Sequence, residues 1–265
     1  MFEGFTDFNI LVQPNVSIHG IRSGNGPPLL LLHGFPQTHH IWHKVSSHLS
    51  KCFTVVATDL RGYGQSSKPA SSAEDNHEAY AKSTMALDCI SVMSHLGFSK
   101  FDICSHDRGA RVAHKLCVDH PEKVGKVMFL DICPTLATFE KTDMNFARAY
   151  WHWFFLIQPA PFPETLILNN PEVFKTKFFG GGYAGNGSFI KDETMKEYAR
   201  QYTDEDTVHG MVRIRRRVIS FSSRSSRELC TYIAPPTCPA APESIEPVLL
   251  LFTKMAILTL RFSTV

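Results

Sequence analysis

Ile103-Cys104-Ser105-His106-Asp107-Arg108-Gly109-Ala110-Arg111 is the stretch whose reading decides the fold. Before it, Phe101 and Ile103 belong to an apolar strand pattern. After it, Val112, Ala113, Leu116 and Cys117 recur at helical spacing. The period changes at Asp107, which therefore stands on a sharp strand-to-helix turn. Ser105 and Gly109 flank it two positions away on each side, small enough for a strained turn and for a helix packed close to its strand. An acid at such a tip has two readings. It is an N-cap for the helix, or it is a nucleophile: a carboxylate attacks saturated carbon and leaves an alkyl ester. The nonapeptide alone does not separate them.

Outward from this turn the chain alternates strand and helix. Residues 16–21 read as an early strand, and the continuous apolar run 29–32 as a strand buried on both faces. That run ends in His33-Gly34-Phe35-Pro36-Gln37, a shaped loop at the carboxyl edge of the sheet, where open α/β sheets bind ligands. Residues 41–49 look helical, 53–58 form another buried strand, and Asp59-Leu60-Arg61-Gly62-Tyr63-Gly64-Gln65-Ser66 follows. Residues 78–96 carry Met85, Ile90, Met93 and Leu96 at helical spacing, with Gly97 as the stop. The helix after Asp107 runs to about residue 119, and 124–130 is a further strand ending at Asp131. The alternation predicts an α/β fold with a doubly wound, mostly parallel sheet. Residues 1–132 are assigned to this core.

Beyond Pro134 the rhythm changes. Residues 138–158 read as one long aromatic-rich helix containing Tyr150-Trp151-His152-Trp153-Phe154-Phe155, and short helical pieces follow. Residues 133–211 are assigned to a helical cap inserted over the sheet. An aromatic cluster is more often core than site, but a buried His152 and the Trp153 indole N–H each need a hydrogen-bond partner, and a bound anion is one.

Composition narrows the function. The net charge of +2 gives no pull toward nucleic acid or a membrane surface. Seven cysteines stand singly, without C-x-x-C or a His/Cys cluster at metal spacing, which fits a reducing compartment and predicts no metal or cofactor. The opening residues lack an apolar core of a secretory signal, and the apolar stretch 247–260 is interrupted by Lys254, short of a membrane span. We therefore expect a cytoplasmic protein acting on a small molecule; a homodimer is compatible with the sequence.

Taken together, His33-Gly34-Phe35-Pro36-Gln37-Thr38, Asp59-Leu60-Arg61-Gly62-Tyr63-Gly64, His106-Asp107-Arg108-Gly109-Ala110-Arg111, Leu130-Asp131-Ile132 and Tyr150-Trp151-His152-Trp153-Phe154-Phe155 resemble the fluoroacetate (haloacetate) dehalogenase family of α/β hydrolases. The likeness covers residues 2–211. It implies that Asp107 displaces halide from a short halocarboxylate through a covalent ester. Arg108 and Arg111 would hold the substrate carboxylate, for which a guanidinium fork is suited. His152 and Trp153 would receive the halide, with Tyr150 lining the pocket. Phe35 would lend its backbone N–H to an anion hole, and Asp131 would orient a catalytic His. Related haloalkane dehalogenases and epoxide hydrolases usually carry Trp after the nucleophile, where this chain has Arg108.

The likeness ends after Met211. The family pattern continues His-x-Met with Cys-Glu-Asp-Tyr-Arg, its Tyr completing the halide pocket, and later supplies a general-base His. Here His209-Gly210-Met211 continues Val212-Arg213-Ile214-Arg215-Arg216-Arg217, and no His follows His209. Codons for Cys-Glu-Asp read one base out give Val-Arg-Ile, so the sequence suggests a frame change or mis-spliced junction. Residues 212–265 are assigned to an atypical tail, with one late strand near 247–252 and an incomplete C-terminal part of the sheet. Ester hydrolysis is then expected to be impaired. Two other readings stay open. One is an epoxide hydrolase, drawing on Tyr150, Tyr183, Tyr198 or Tyr202; the other is a non-catalytic α/β-hydrolase-like protein that binds a small acid.

Overall fold

The computed structural model describes residues 1–133, 135–179 and 192–222. Its centre is a six-stranded sheet: β1 (Thr6–Gln13), β2 (Val16–Ser23), β3 (Pro28–Leu32), β4 (Thr54–Thr58), β5 (Phe101–His106) and β6 (Val124–Leu130), in the order β1-β2-β4-β3-β5-β6. β3, β4, β5 and β6 run parallel, while β1 and β2 add an antiparallel hairpin. The sheet is thus mostly parallel, as the alternation predicts. The strand β1 escaped the sequence reading, because in its eight residues only Ile10 is buried and no apolar period emerges.

The central strands bury both faces. Leu30 and Leu32 of β3 enter one core and Leu29 and Leu31 the other, and Val56 against Val55 and Ala57 divide β4 the same way. Each fully buried leucine contributes roughly 1.5–3 kcal/mol of transfer free energy. On one face lie α2 (Lys82–His95) and α3 (Arg108–Asp119), through Met85, Val92, Val112 and Leu116. The other face is covered by Trp42, Val45 and Leu49. Helix forms less than expected there: residues 39–42 make a 3-10 turn and only Ser46–Leu49, α1, is α-helical. Ahead of α2, residues 78–80 are likewise a separate 3-10 turn, and Gly97 at φ 91° ends the helix as read.

The described chain from Thr135 onward is helical: α4 (Thr135–Glu140), α5 (Met144–Ala149), α6 (Trp151–Phe155), α7 (Phe162–Asn169), α8 (Pro171–Phe179), α9 (Asp192–Arg200) and α10 (Glu205–Ser222). The single long helix expected over 138–158 is therefore three short ones. Asp143 interrupts it by accepting the Phe146 N–H at 2.7 Å as a new N-cap, and Tyr150 leaves helical angles at φ −107°, ψ 36°. The described chain stays helical past Met211. α10 runs through it, with Met211, Val212 and Ile214 all buried. The anticipated late strand near 247–252 and most of the tail lie outside the described residues. No helix among the described residues is long and apolar enough to cross a membrane.

Two loops at the carboxyl edge are locked together. His33 is fully buried; its Nδ1 meets the Gly34 carbonyl at 2.9 Å and its Nε2 accepts the Leu60 N–H at 2.9 Å. Burial pushes this imidazole down to about 4. The unfolded chain, near 6.5, thus binds more protons between pH 6.5 and 4, so stability rises with pH across that window and is lost on acidification. At pH 4.5 the loss from His33 alone should be on the order of 2–3 kcal/mol. Urea midpoints at pH 7.5 and 4.5 measure it; the His33→Gln variant should show a flatter pH dependence, and an unchanged slope would rule out His33 as the source.

Candidate active site

The sheet order places the ends of β3 and β5 side by side, and β6 beyond, so three loops converge at one edge. This is the crevice at the point where strand order reverses. Asp107 stands there between β5 and α3 at φ 46°, ψ −113°. Such angles in a non-glycine residue cost about 1–3 kcal/mol and persist only where the surroundings enforce them. The enforcing contact is α3 itself: a Cβ at Gly109 would lie 2.4 Å from the His33 carbonyl oxygen, so only glycine lets the helix approach β3 this closely. Asp107 occupies the N-cap position, yet its side chain makes no capping hydrogen bond. Its Oδ1 instead accepts the Phe35 backbone N–H at 2.8 Å, across 72 residues. A Cβ at Gly34 would sit 2.4 Å from the Asp107 Cβ, which is why that loop begins with glycine. The capping alternative therefore fails on geometry.

Burial alone would raise the Asp107 carboxyl. His106, Arg108, Arg111 and the Phe35 N–H outweigh it and hold the group at about 2. It is an anion at neutral pH, as an attacking carboxylate must be.

Arg108 is 2% exposed. Its Nη1 donates to the Tyr63 hydroxyl and, at 2.9 Å, to the Met211 carbonyl, and its guanidinium centre lies 4.4 Å from the centre of the Phe35 ring. Its buried Nη2 has no hydrogen-bond partner. Arg111, one turn further along α3, donates to Thr135 Oγ1 at 2.6 Å and lies 4.7 Å from the Trp153 ring centre, with its Nε sealed and unpaired. Both arginines therefore keep a donor in reserve beside Asp107.

His152 and Trp153 are buried on α6. The His152 ring stacks with Phe35 at 5.8 Å between centroids, so it lies over the nucleophile's loop. Burial first, then Arg215, lowers its imidazole to about 3, which leaves it neutral at pH 7. Tyr150 stacks on Phe146 and is 38% exposed, a rim position; burial and then Asp131 and Asp107 raise its phenol. Asp131 follows β6 at φ 48° with its Oδ2 3.9 Å from His106 Nε2. The imidazole it faces is thus the residue before the nucleophile, in place of the C-terminal His implied by the resemblance.

Three residues of the site lay beyond the sequence reading. Tyr63 accepts the Arg108 bond, and burial pushes its phenol to about 12, so it remains neutral. Lys82 opens α2 with its Nζ 3.5 Å from Met85 Sδ. Arg215 lies 4.1 Å from the Trp153 ring centre. A signal for Arg215 did exist: Val208, Met211, Val212 and Arg215 fall on one helical stripe, and all four are buried. Counted from His209, Arg215 takes the place of the family pattern's halide-pocket Tyr.

His19, His39 and Asp59 form the grouping closest to a metal-ligand set among the described residues. The Asp59 oxygens already accept the His39 N–H and ring at 2.9 and 2.8 Å, and the His19 ring and Gln65 N–H at 3.1 Å each. Burial would raise this carboxyl, but His39 and His19 hold it well below the usual range. Its four partners make it a hydrogen-bond hub for the loops.

Residues 27–223 match the family model for the alpha/beta hydrolase fold. The chain belongs to the α/β hydrolase family. It is 44% identical over 211 residues to fluoroacetate dehalogenase from Burkholderia sp, covering 79% of this chain and 68% of that one. Soluble epoxide hydrolase from Corynebacterium sp. (strain C12) is 32% identical over 185 residues, with 69% of this α/β hydrolase and 62% of the relative covered. A crystal structure of a proposed α/β hydrolase from Nostoc sp PCC 7120 superposes with a TM-score of 0.79 at 45% identity, covering 83% of this chain and 74% of that one. This is an enzyme of the α/β-hydrolase type, dehalogenase-like in sequence, and it spans about two thirds of the length of these two curated relatives.

Proposed function

We propose that this α/β hydrolase is of the haloacetate dehalogenase type. Asp107 attacks the halogen-bearing carbon of a short halocarboxylate in line; a C–O bond forms, the C–halogen bond breaks, and halide leaves with its electron pair. The observation that carries this reading is the ionised Asp107 carboxylate at a strained turn, with Arg108 and Arg111 beside it holding unused N–H donors. Those donors suit the substrate carboxylate. A neutral His152 and the Trp153 indole would present N–H groups to the departing halide, and donors aimed where charge develops lower the barrier. The helices from 133 onward serve as the cap, Phe35 and Tyr150 line the pocket, and Asp131 positions His106. A cytoplasmic setting suits this activity.

Exposure to chloroacetate should add a carboxymethyl group to the peptide bearing Asp107, read by intact mass and peptide mapping. Asp107→Asn should carry no such adduct. A modification on cysteine alone would sink the proposal.

The epoxide hydrolase reading has one observation in its favour: the buried Tyr202 hydroxyl lacks a hydrogen-bond partner and lies close enough to Arg108 to feel its charge. A neutral epoxide, however, would leave the arginines unanswered. Styrene oxide should therefore be neither bound nor opened.

A further inference from the structure

α10 carries four arginines after Met211, and three have evident structural partners. Arg216 donates to Glu164 Oε1 and Oε2 at 2.8 and 3.1 Å, Arg217 pairs with Glu78, and Arg213 lies close enough to Tyr80 for its charge to act on the phenol. Arg215 differs. It is 3% exposed, makes no salt bridge among the described residues, and its Nε is sealed without a hydrogen-bond partner. Its guanidinium lies against Trp153, as does that of Arg111. Arg108, also buried, has its Nη2 unpaired, and its Tyr63 partner is a neutral phenol that cancels no charge. Lys82 stands near enough to all three for their charges to act on it.

The carboxylate that answers this group is Asp107. Three guanidiniums (+3) against one carboxylate (−1) leave +2 in a buried space. Uncompensated buried charge is costly, and its cheapest remedy is a ligand of opposite charge. Lys82 stands beside the same group: burial, then Arg108, Arg111 and Arg215, push its ammonium well below the usual range. A monocarboxylate would still leave +1.

We propose that the site takes a short dicarboxylate, one carboxylate held by Arg108 and Arg111 and the second by Arg215 beside Trp153. This rests on the reading above that Arg108 and Arg111 bind a carboxylate. The guanidinium fork accepts the second carboxylate with two parallel bonds, and Trp153 fixes the plane of the fork.

Titration calorimetry on the full chain at matched ionic strength tests it, with malonate and succinate against acetate and propionate as probes. At least one dicarboxylate should bind about tenfold or more tightly than the monocarboxylates, the worth of one charged hydrogen-bonded pair. Arg215→Gln should bring that ratio to about one whatever its effect on absolute acetate affinity, and Arg215→Lys, which keeps the charge but loses the two-bond fork and its stacking on Trp153, should retain only part of the preference. Equal affinities in the wild type would overturn the proposal without any variant, and so would a preference that survives in Arg215→Gln. If chloroacetate modifies Asp107 but dicarboxylates gain nothing, this inference alone fails. If none of the four acids binds, the assignment of Arg108 and Arg111 fails with it.

Discussion

Mixed with a haloacetate, the 265-residue chain is expected to release about one halide per protein molecule and then stall. On the proposed reading, displacement of halide needs Asp107, Arg108 and Arg111 for the substrate carboxylate, and His152 and Trp153 for the leaving ion. Release of the ester needs a base to activate water, and positioned general bases contribute about 100- to 10,000-fold. Among the thirteen histidines the last in sequence is His209. It stands on α10 with its ring nitrogens 3.8 Å from Glu164 and 3.5 Å from Glu205, committed to the helical layer. His33 serves the loop lock, and His152, at about 3, is too weak a base. His106 is adjacent to the nucleophile, but its Nε2 turns toward Asp131 and its Nδ1 is sealed without a partner, so neither nitrogen is offered to a water on the ester. Halide electrode traces should show a burst without a steady phase, and intact mass should show an adduct that persists. Asp107→Asn should lose both. Sustained release of many equivalents would contradict the account, and loss of that release in His106→Gln would identify the base.

The parts of this site that sequence made legible are local. The strand-to-helix change, the flanking Ser105 and Gly109, and the pair Arg108 and Arg111 all lie within nine residues, where periodicity and sterics act directly. The parts it hid depend on convergence over distance. Arg108 reaches Tyr63 across 45 residues and Met211 across 103. Nothing in the local patterns around Lys82 announces that it faces three arginines. Arg215 was hidden for another reason. A run of arginines where the family pattern has acid and phenol reads as a lost frame, and that reading assigns them no partners; α10 sets Arg216 against the buried Glu164, Arg217 against Glu78 and Arg215 against Trp153. The aromatic segment misled in the opposite direction: its composition suggested one helix, and the Asp143 cap and the non-helical Tyr150 divide it.

The largest effect on stability is expected away from the reacting groups, at Asp88. Arg61 is 1% exposed and grips Asp88 with two bonds, Nε to Oδ2 at 2.7 Å and Nη2 to Oδ1 at 2.5 Å. The same guanidinium donates to the Ala79 carbonyl at 2.9 Å and to Gln13 Oε1 at 3.2 Å. One side chain thereby ties the loop after β4 to α2, to the 3-10 turn before it and to the end of β1. Removing the acid leaves a buried cation with no counter-charge, which costs about 3–5 kcal/mol, a large share of the stability of an ordinary domain. Asp88→Ala should therefore lower the urea midpoint sharply. Replacing both partners, Arg61→Met with Asp88→Leu, should recover most of the loss, because the desolvation cost of the pair disappears with its attraction. The loop that Arg61 anchors also carries Tyr63, which receives the Arg108 guanidinium, so acetate affinity should fall in Asp88→Ala even under conditions where the protein stays folded. A double variant as unstable as Asp88→Ala would show that Arg61 acts through its bonds to Ala79 and Gln13, and that its charge matters less than its reach.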